Sequence, residues 1–190
     1  MSLWSSTLDS FCEQIASPAP VPSGGATACV CASFALALLQ MAIRKSCDQE
    51  HADSELDFAA SVEELLVVMK AHADNDVRTF GAFIEKSPPG SPGHSRQEAL
   101  DITLGSLAAA RSCFEGILLA QAAAPSVKKT LQCDVVSSAW MMHASLSALL
   151  INVDADAANL PDSNQKQDAV RTRADLQSQA DQALGHLRRM

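Results

Sequence analysis

Three places in this sequence hold residue types that can do chemistry. The first is Pro22-Ser23-Gly24-Gly25. Glycines ahead of a helix let a ligand approach backbone N–H groups, and a helix N-terminus favours an anion or a carbonyl oxygen. The same residues also suit a plain tight turn. The second is Gln132-Cys133-Asp134, at the entry to a long apolar segment. Asp134 either caps that segment or acts as a general acid held beside a dry pocket. The third is Asn152 near the end of the same segment, a packed amide or a ligand-orienting one. His143 lies between them and reads as a core histidine or a catalytic base.

The remaining reactive residues are six cysteines, Cys12, Cys29, Cys31, Cys47, Cys113 and Cys133. None forms a C-x-x-C pair, and Cys29 and Cys31 point to different sides of a helix. They read as reduced thiols in a cytoplasm, with a metal site or a thiol nucleophile as the rival reading. No metal is expected. There is no Walker loop, dinucleotide fingerprint, H-E-x-x-H or G-x-S-x-G.

The elements that must position these residues read as six helices. The first spans about 4–17, capped by Thr7 or Asp9, with Leu8, Phe11, Cys12 and Ile15 as its apolar stripe. Pro18, Pro20 and Pro22 end it. The second, about 26–46, carries no charge before Arg44. The third, 55–86, has Val62, Leu65, Leu66, Met69, Ala73, Phe80, Phe83 and Ile84 near one face. A Pro/Gly-rich loop, 87–95, follows. The fourth, 96–123, steps through Leu100, Leu104, Leu107, Phe114 and Leu118. The fifth, about 134–154, has no formal charge between its flanking aspartates. The sixth follows Leu160-Pro161-Asp162 and is polar and peripheral from Gln165 to Arg189.

With 190 residues the chain fits one domain, 1–190. Apolar residues make up 47 %, yet aromatics only 4 %, so Ala and Leu dominate, which suits closely packed helices better than a sheet. A net charge of −8 argues against nucleic acid and anionic membranes. The second and fifth segments lack a polar face. Either they cross a membrane, or they are buried on all sides, most economically in a dimer whose core takes them from both subunits. We expect the dimer, soluble and without membrane contact.

The order of these features resembles the C-terminal domain of the formiminotransferase-cyclodeaminases, with its stand-alone relatives the methenyltetrahydrofolate cyclohydrolases. The family-like run is Phe11 to Met41, with Gly24-Gly25 opening an Ala-rich helix. Asp76 with Phe80 four residues on, Cys133-Asp134, and Asn152-Val153 follow in family-like order over most of 9–162. Departures fall at Ser23 for a glycine, Ala26 and Cys133 for serines, and Asp154 for an arginine.

The resemblance implies an all-α homodimer with a folate cleft near helix ends. It implies hydrolysis of 5,10-methenyltetrahydrofolate, or cyclisation of 5-formiminotetrahydrofolate with loss of ammonia. A tetrahydrofolate derivative is then the substrate, with no tightly bound cofactor. Asp134 becomes the acid/base or electrostatic partner, and Asn152 orients the ligand. Gly24 and Gly25 line the pocket with backbone, and Asp76 contributes from the third helix. The other reading is a degenerate, non-catalytic helical dimer that binds another small ligand or partner.

Overall fold

The computed structural model describes residues 2–47, 52–86, 96–158, 160 and 163–189. Among them are six α-helices and no strand: α1 (Leu8–Ala16), α2 (Gly24–Ser46), α3 (Ala52–Lys86), α4 (Arg96–Ala123), α5 (Gln132–Ala158) and α6 (Asn164–Leu187). The chain is thus a single all-α domain of the expected helix count. The loop expected at 87–95 and the Pro161-Asp162 stop lie outside the described residues.

Local chemistry sets the ends. Thr7 caps α1, its hydroxyl accepting the Ser10 amide at 3.1 Å, and Ser163 does the same for Lys166 at the start of α6. A short 3-10 turn at Leu3–Ser5 is pinned to α3. The Leu3 amide donates to Asp74 Oδ1 at 2.8 Å and the Trp4 indole to the Lys70 carbonyl at 3.1 Å.

α2 packs on α3 and α5, α4 packs on α3 and α5, and α6 covers the α4–α5 seam. α2 and α5 run antiparallel. The start of α2 lies by the end of α5, while Ser46, at its other end, accepts the Lys128 amide at 2.9 Å. The core is aliphatic, centred on Leu36, Leu39, Met69, Ile117, Met142 and Leu146. Each such side chain contributes roughly 1.5–3 kcal/mol. Gly116 lets α4 approach α5, since a Cβ there would collide with the Met142 sulfur and lie 3.1 Å from Leu36. Several buried hydroxyls bond back along their own helices, as Ser33 does to the Cys29 carbonyl at 2.9 Å.

Two expectations need correction. Only Phe11 of the α1 stripe is buried. Leu8, Cys12 and Ile15 are exposed, because α1 is a short surface helix resting on one residue. In α3 and α4, Ile84, Leu104 and Leu118 also face outward: 3.6-residue spacing carries a long apolar set past the edge of the contact. Within one protomer α2 and α5 are not covered on all sides, so their full burial rests on the expected dimer. α2 leaves Cys31 and Phe34 open, and α5 leaves Ser137, Met141, Ala144, Ala148 and Ile151. α2, α4 and α5 are long and apolar enough to cross a membrane, yet they share one core with the amphipathic α3 and α6.

Candidate functional site

The first turn of α2 is where the sequence candidates meet. Ser23 occupies the N-cap position, but its side chain does not cap. Instead Asp76 reaches in from α3. Its Oδ2 accepts the Ala26 amide at 2.9 Å and the Ser23 hydroxyl at 3.2 Å. The carboxylate therefore sits at the positive end of the α2 dipole. Burial pushes the Asp76 carboxyl above its ordinary range, and the bonds from Ser23 and Ala26 oppose that rise.

Gly25 makes this approach possible. A Cβ at that position would collide with the Asp76 carboxylate, 2.8 Å from its Cγ. Gly24 is exposed, and a Cβ there would lie 3.8 Å from Asn152 Oδ1, an ordinary contact. Gly24, Gly25, Asp76 and Asn152 thus converge on one helix end from α2, α3 and α5.

Two hollows flank that end. The inner cleft is narrow and is lined by Cys29, His72, Asp76, Phe80, Asp101 and Leu149, among others. Asp76 and Phe80 face it together because they lie one helical turn apart. Burial lowers the His72 pKa, and its Nε2 lies 3.3 Å from the Ser112 hydroxyl. The buried Cys29 thiol is pushed up to about 12 by desolvation and then by the Asp76 charge. It is a neutral thiol, which removes it as a nucleophile. The wider outer groove runs along α2 and α5 past Pro22, Ser23, Gly24, Thr27, Met141 and Ser145. The Ser145 hydroxyl is buried there without a hydrogen-bond partner among the described residues.

Asp134 does not join this cluster within the protomer. It sits in the first turn of α5, and Asn152 lies five turns further along, about 27 Å at 1.5 Å per residue. His143 faces α6, where its Nε2 is 2.6 Å from Asp181. Around the Asp134 end the fold gathers cations. Arg44 and Lys45 close α2, Lys128 and Lys129 precede α5, and the Lys128 ammonium donates to the Lys45 carbonyl at 3.1 Å. Sequence reading missed this grouping, since the two pairs are more than 80 residues apart.

Sequence reading also missed Asp156. It is half-buried one turn beyond Asn152, so the two share a face of α5. The Asp156 carboxyl is pushed up to about 6, by burial first and then by the Asp76 charge. The signal available was that i, i+4 spacing. Asp154, on another side of the helix, is bonded by Arg173 of α6 at 2.9 and 3.0 Å.

The model of the formiminotransferase-cyclodeaminase family matches residues 7–175. This chain belongs to that family. Gly24-Gly25 open α2 and Asp134 lies in the first turn of α5, while α5 runs six residues past Asn152 rather than closing there. The match takes in Arg173 but stops short of the C-terminal turns of α6. A solved structure of formiminotetrahydrofolate cyclodeaminase from Thermotoga maritima is similar with a TM-score of 0.91, covering 99 % of this chain and 96 % of that one. At 18 % sequence identity the likeness is one of fold. No curated protein matches the chain.

Proposed function

We propose that this family member is a folate-dependent one-carbon enzyme, a methenyltetrahydrofolate cyclohydrolase or a formiminotetrahydrofolate cyclodeaminase. The observation that carries the reading is the meeting of Gly24, Gly25, Asp76 and Asn152 at the α2 N-terminus. Capping of α2 explains why Asp76 meets Gly25 but gives no reason for Asn152 to join them, whereas one heterocycle needs backbone, carboxylate and amide together. That convergence also speaks against a degenerate, non-catalytic member.

Both reactions pass through a tetrahedral carbon between two nitrogens and through a cationic amidinium centre. Asp76 offsets the positive end of α2 and supplies negative charge facing that cation. Asn152 orients the one-carbon unit or the pterin. The outer groove has room for the rest of a folate, and Ser145 offers it a buried hydroxyl.

The same reading includes a homodimer and a role for Asp134. The open stripe of α5, Ser137, Met141, Ala144, Ala148 and Ile151, is spaced by four and three and has Ala144 at its centre. A two-fold axis there packs α5 on its antiparallel copy, small residues allowing close approach. It sets the partner's Asp134 within a turn of Asn152, as electrostatic partner of the amidinium. It also faces the cations at one end of α5 with the aspartates at the other. Lys45, Lys128 and Lys129 then border the cleft and suit a substrate bearing carboxylates. The reading places the enzyme in the cytoplasm as a soluble dimer, without a tightly bound cofactor. Turnover of the two substrates by purified protein tests it: consumption of the methenyl compound or conversion of the formimino compound supports it, and neither refutes it.

A further inference from the structure

We propose that Asp156 is the proton carrier of this site, taking a proton in the first half of the reaction and returning it in the second. The assignment rests on the folate reading above and adds a residue to it. Three structural facts single Asp156 out. It lies on the same face of α5 as Asn152, one turn away, and as Leu149, two turns away, which lines the inner cleft. It is half-buried, with no hydrogen bond or ion pair to another described residue, so its carboxyl oxygens are available to a ligand. It sits in the last turn of α5, where the helix dipole disfavours negative charge, and it feels the Asp76 carboxylate. A carboxylate in such surroundings is a stronger base than an ordinary surface aspartate, and once protonated it still gives the proton up near neutrality.

The proton count closes for both reactions. In hydrolysis, water oxygen bonds to the amidinium carbon and the Asp156 carboxylate takes one water proton. The acid then gives that proton to N5 as the carbon–N5 bond breaks, while the remaining hydroxyl proton leaves to solvent and the formyl carbonyl forms. In cyclodeamination, N10 bonds to the carbon of the protonated formimino group and passes its proton to Asp156. The acid returns it to the amino nitrogen, which leaves as ammonia, and the positive charge stays on the new amidinium. No oxidant, reductant or metal enters either sequence.

Asp76 of α3 acts on Asp156 directly, and the inner cleft that Leu149 lines also holds His72 of α3, the neutral Cys29 of α2 and Asp101 of α4. Arg173 of α6 is engaged by Asp154. His72 is the group that could mimic Asp156 in a pH profile, since burial brings its pKa down from the usual imidazole value.

The experiment is kcat/KM against pH from 5 to 9 for wild type, Asp156→Asn, Asp156→Glu and His72→Gln, with the fold of each checked by circular dichroism. We expect wild-type kcat/KM to fall about tenfold per unit below about pH 6, where Asp156 becomes protonated. Asp156→Asn should lose about a hundredfold or more in kcat, with KM little changed, and should lose the acid limb. Asp156→Glu should restore the limb, and His72→Gln should keep it. An Asp156→Asn enzyme that retains both its rate and its limb overturns the assignment and leaves the folate reading standing. So does an Asp156→Glu enzyme without a limb, or a limb that vanishes in His72→Gln. A folded wild-type dimer that turns over neither substrate overturns both.

Discussion

Asp76 on α3 caps α2 across the bundle, its Oδ2 accepting the Ala26 amide hydrogen at 2.9 Å. The contact ties the α2 N-terminus to α3, and it exists because residue 25 has no side chain.

Gly25→Ala should therefore separate the carboxylate from the helix end. Overpacking of this kind costs about 1–3 kcal/mol, and the lost cap adds to it. Gly24→Ala, with its nearest contact at 3.8 Å, should be close to neutral in stability. Urea denaturation of the two variants checks the contrast. Equal losses would mean that the first turn of α2 is sensitive for some reason other than the Asp76 contact.

Asp156 makes a stability prediction with a definite sign. Its native pKa of about 6 lies above the ordinary 3.8, so the folded state holds the proton after the unfolded chain has released it. Wild-type stability from this residue is then full below about pH 4 and falls as pH rises through about 6. Asp156→Asn should melt with wild type at pH 4 and above it at pH 8. The difference should be about 1 kcal/mol once partial exposure is allowed for. Thermal melts at the two pH values check this. An Asn variant less stable at pH 8 would show that the carboxylate has a favourable partner.

Much of this was legible in the sequence, and the limits have physical causes. Helix number and type followed from Ala/Leu content, proline positions and 3.6-residue spacing, which act locally. Gly24 and Gly25 could be named because they open a helix, and Asp76 and Asn152 because the order of motifs resembles the family's. What periodicity cannot give is which side of an apolar helix meets a neighbour. Hence Leu8, Ile15 and Leu104 were assigned inward and lie exposed. Nor can it bring together groups distant in sequence, such as Lys45 with Lys128, or Asp154 with Arg173. Asp156 escaped notice because its surroundings come from α3, 80 residues earlier, through Asp76.

The dimer proposal predicts complementation. Asp134→Asn and Asn152→Ala should each lose most activity as homodimers. A two-fold arrangement gives their mixed dimer one site with both side chains intact and one lacking both. Mixing the two variants under subunit exchange should restore up to about half the wild-type rate per mixed dimer, and Ala144→Arg in the open stripe should yield monomers by light scattering. Absence of complementation in a verified mixed dimer would place Asp134 outside the site.

Turnover tests the folate reading most directly. Purified wild-type protein should be mixed with 5,10-methenyltetrahydrofolate, and separately with 5-formiminotetrahydrofolate, while methenyl absorbance is followed. Enzyme-proportional loss of absorbance is expected with the first or gain with the second, abolished in Asp76→Ala. A folded, dimeric protein that changes neither trace beyond the spontaneous rate would contradict it.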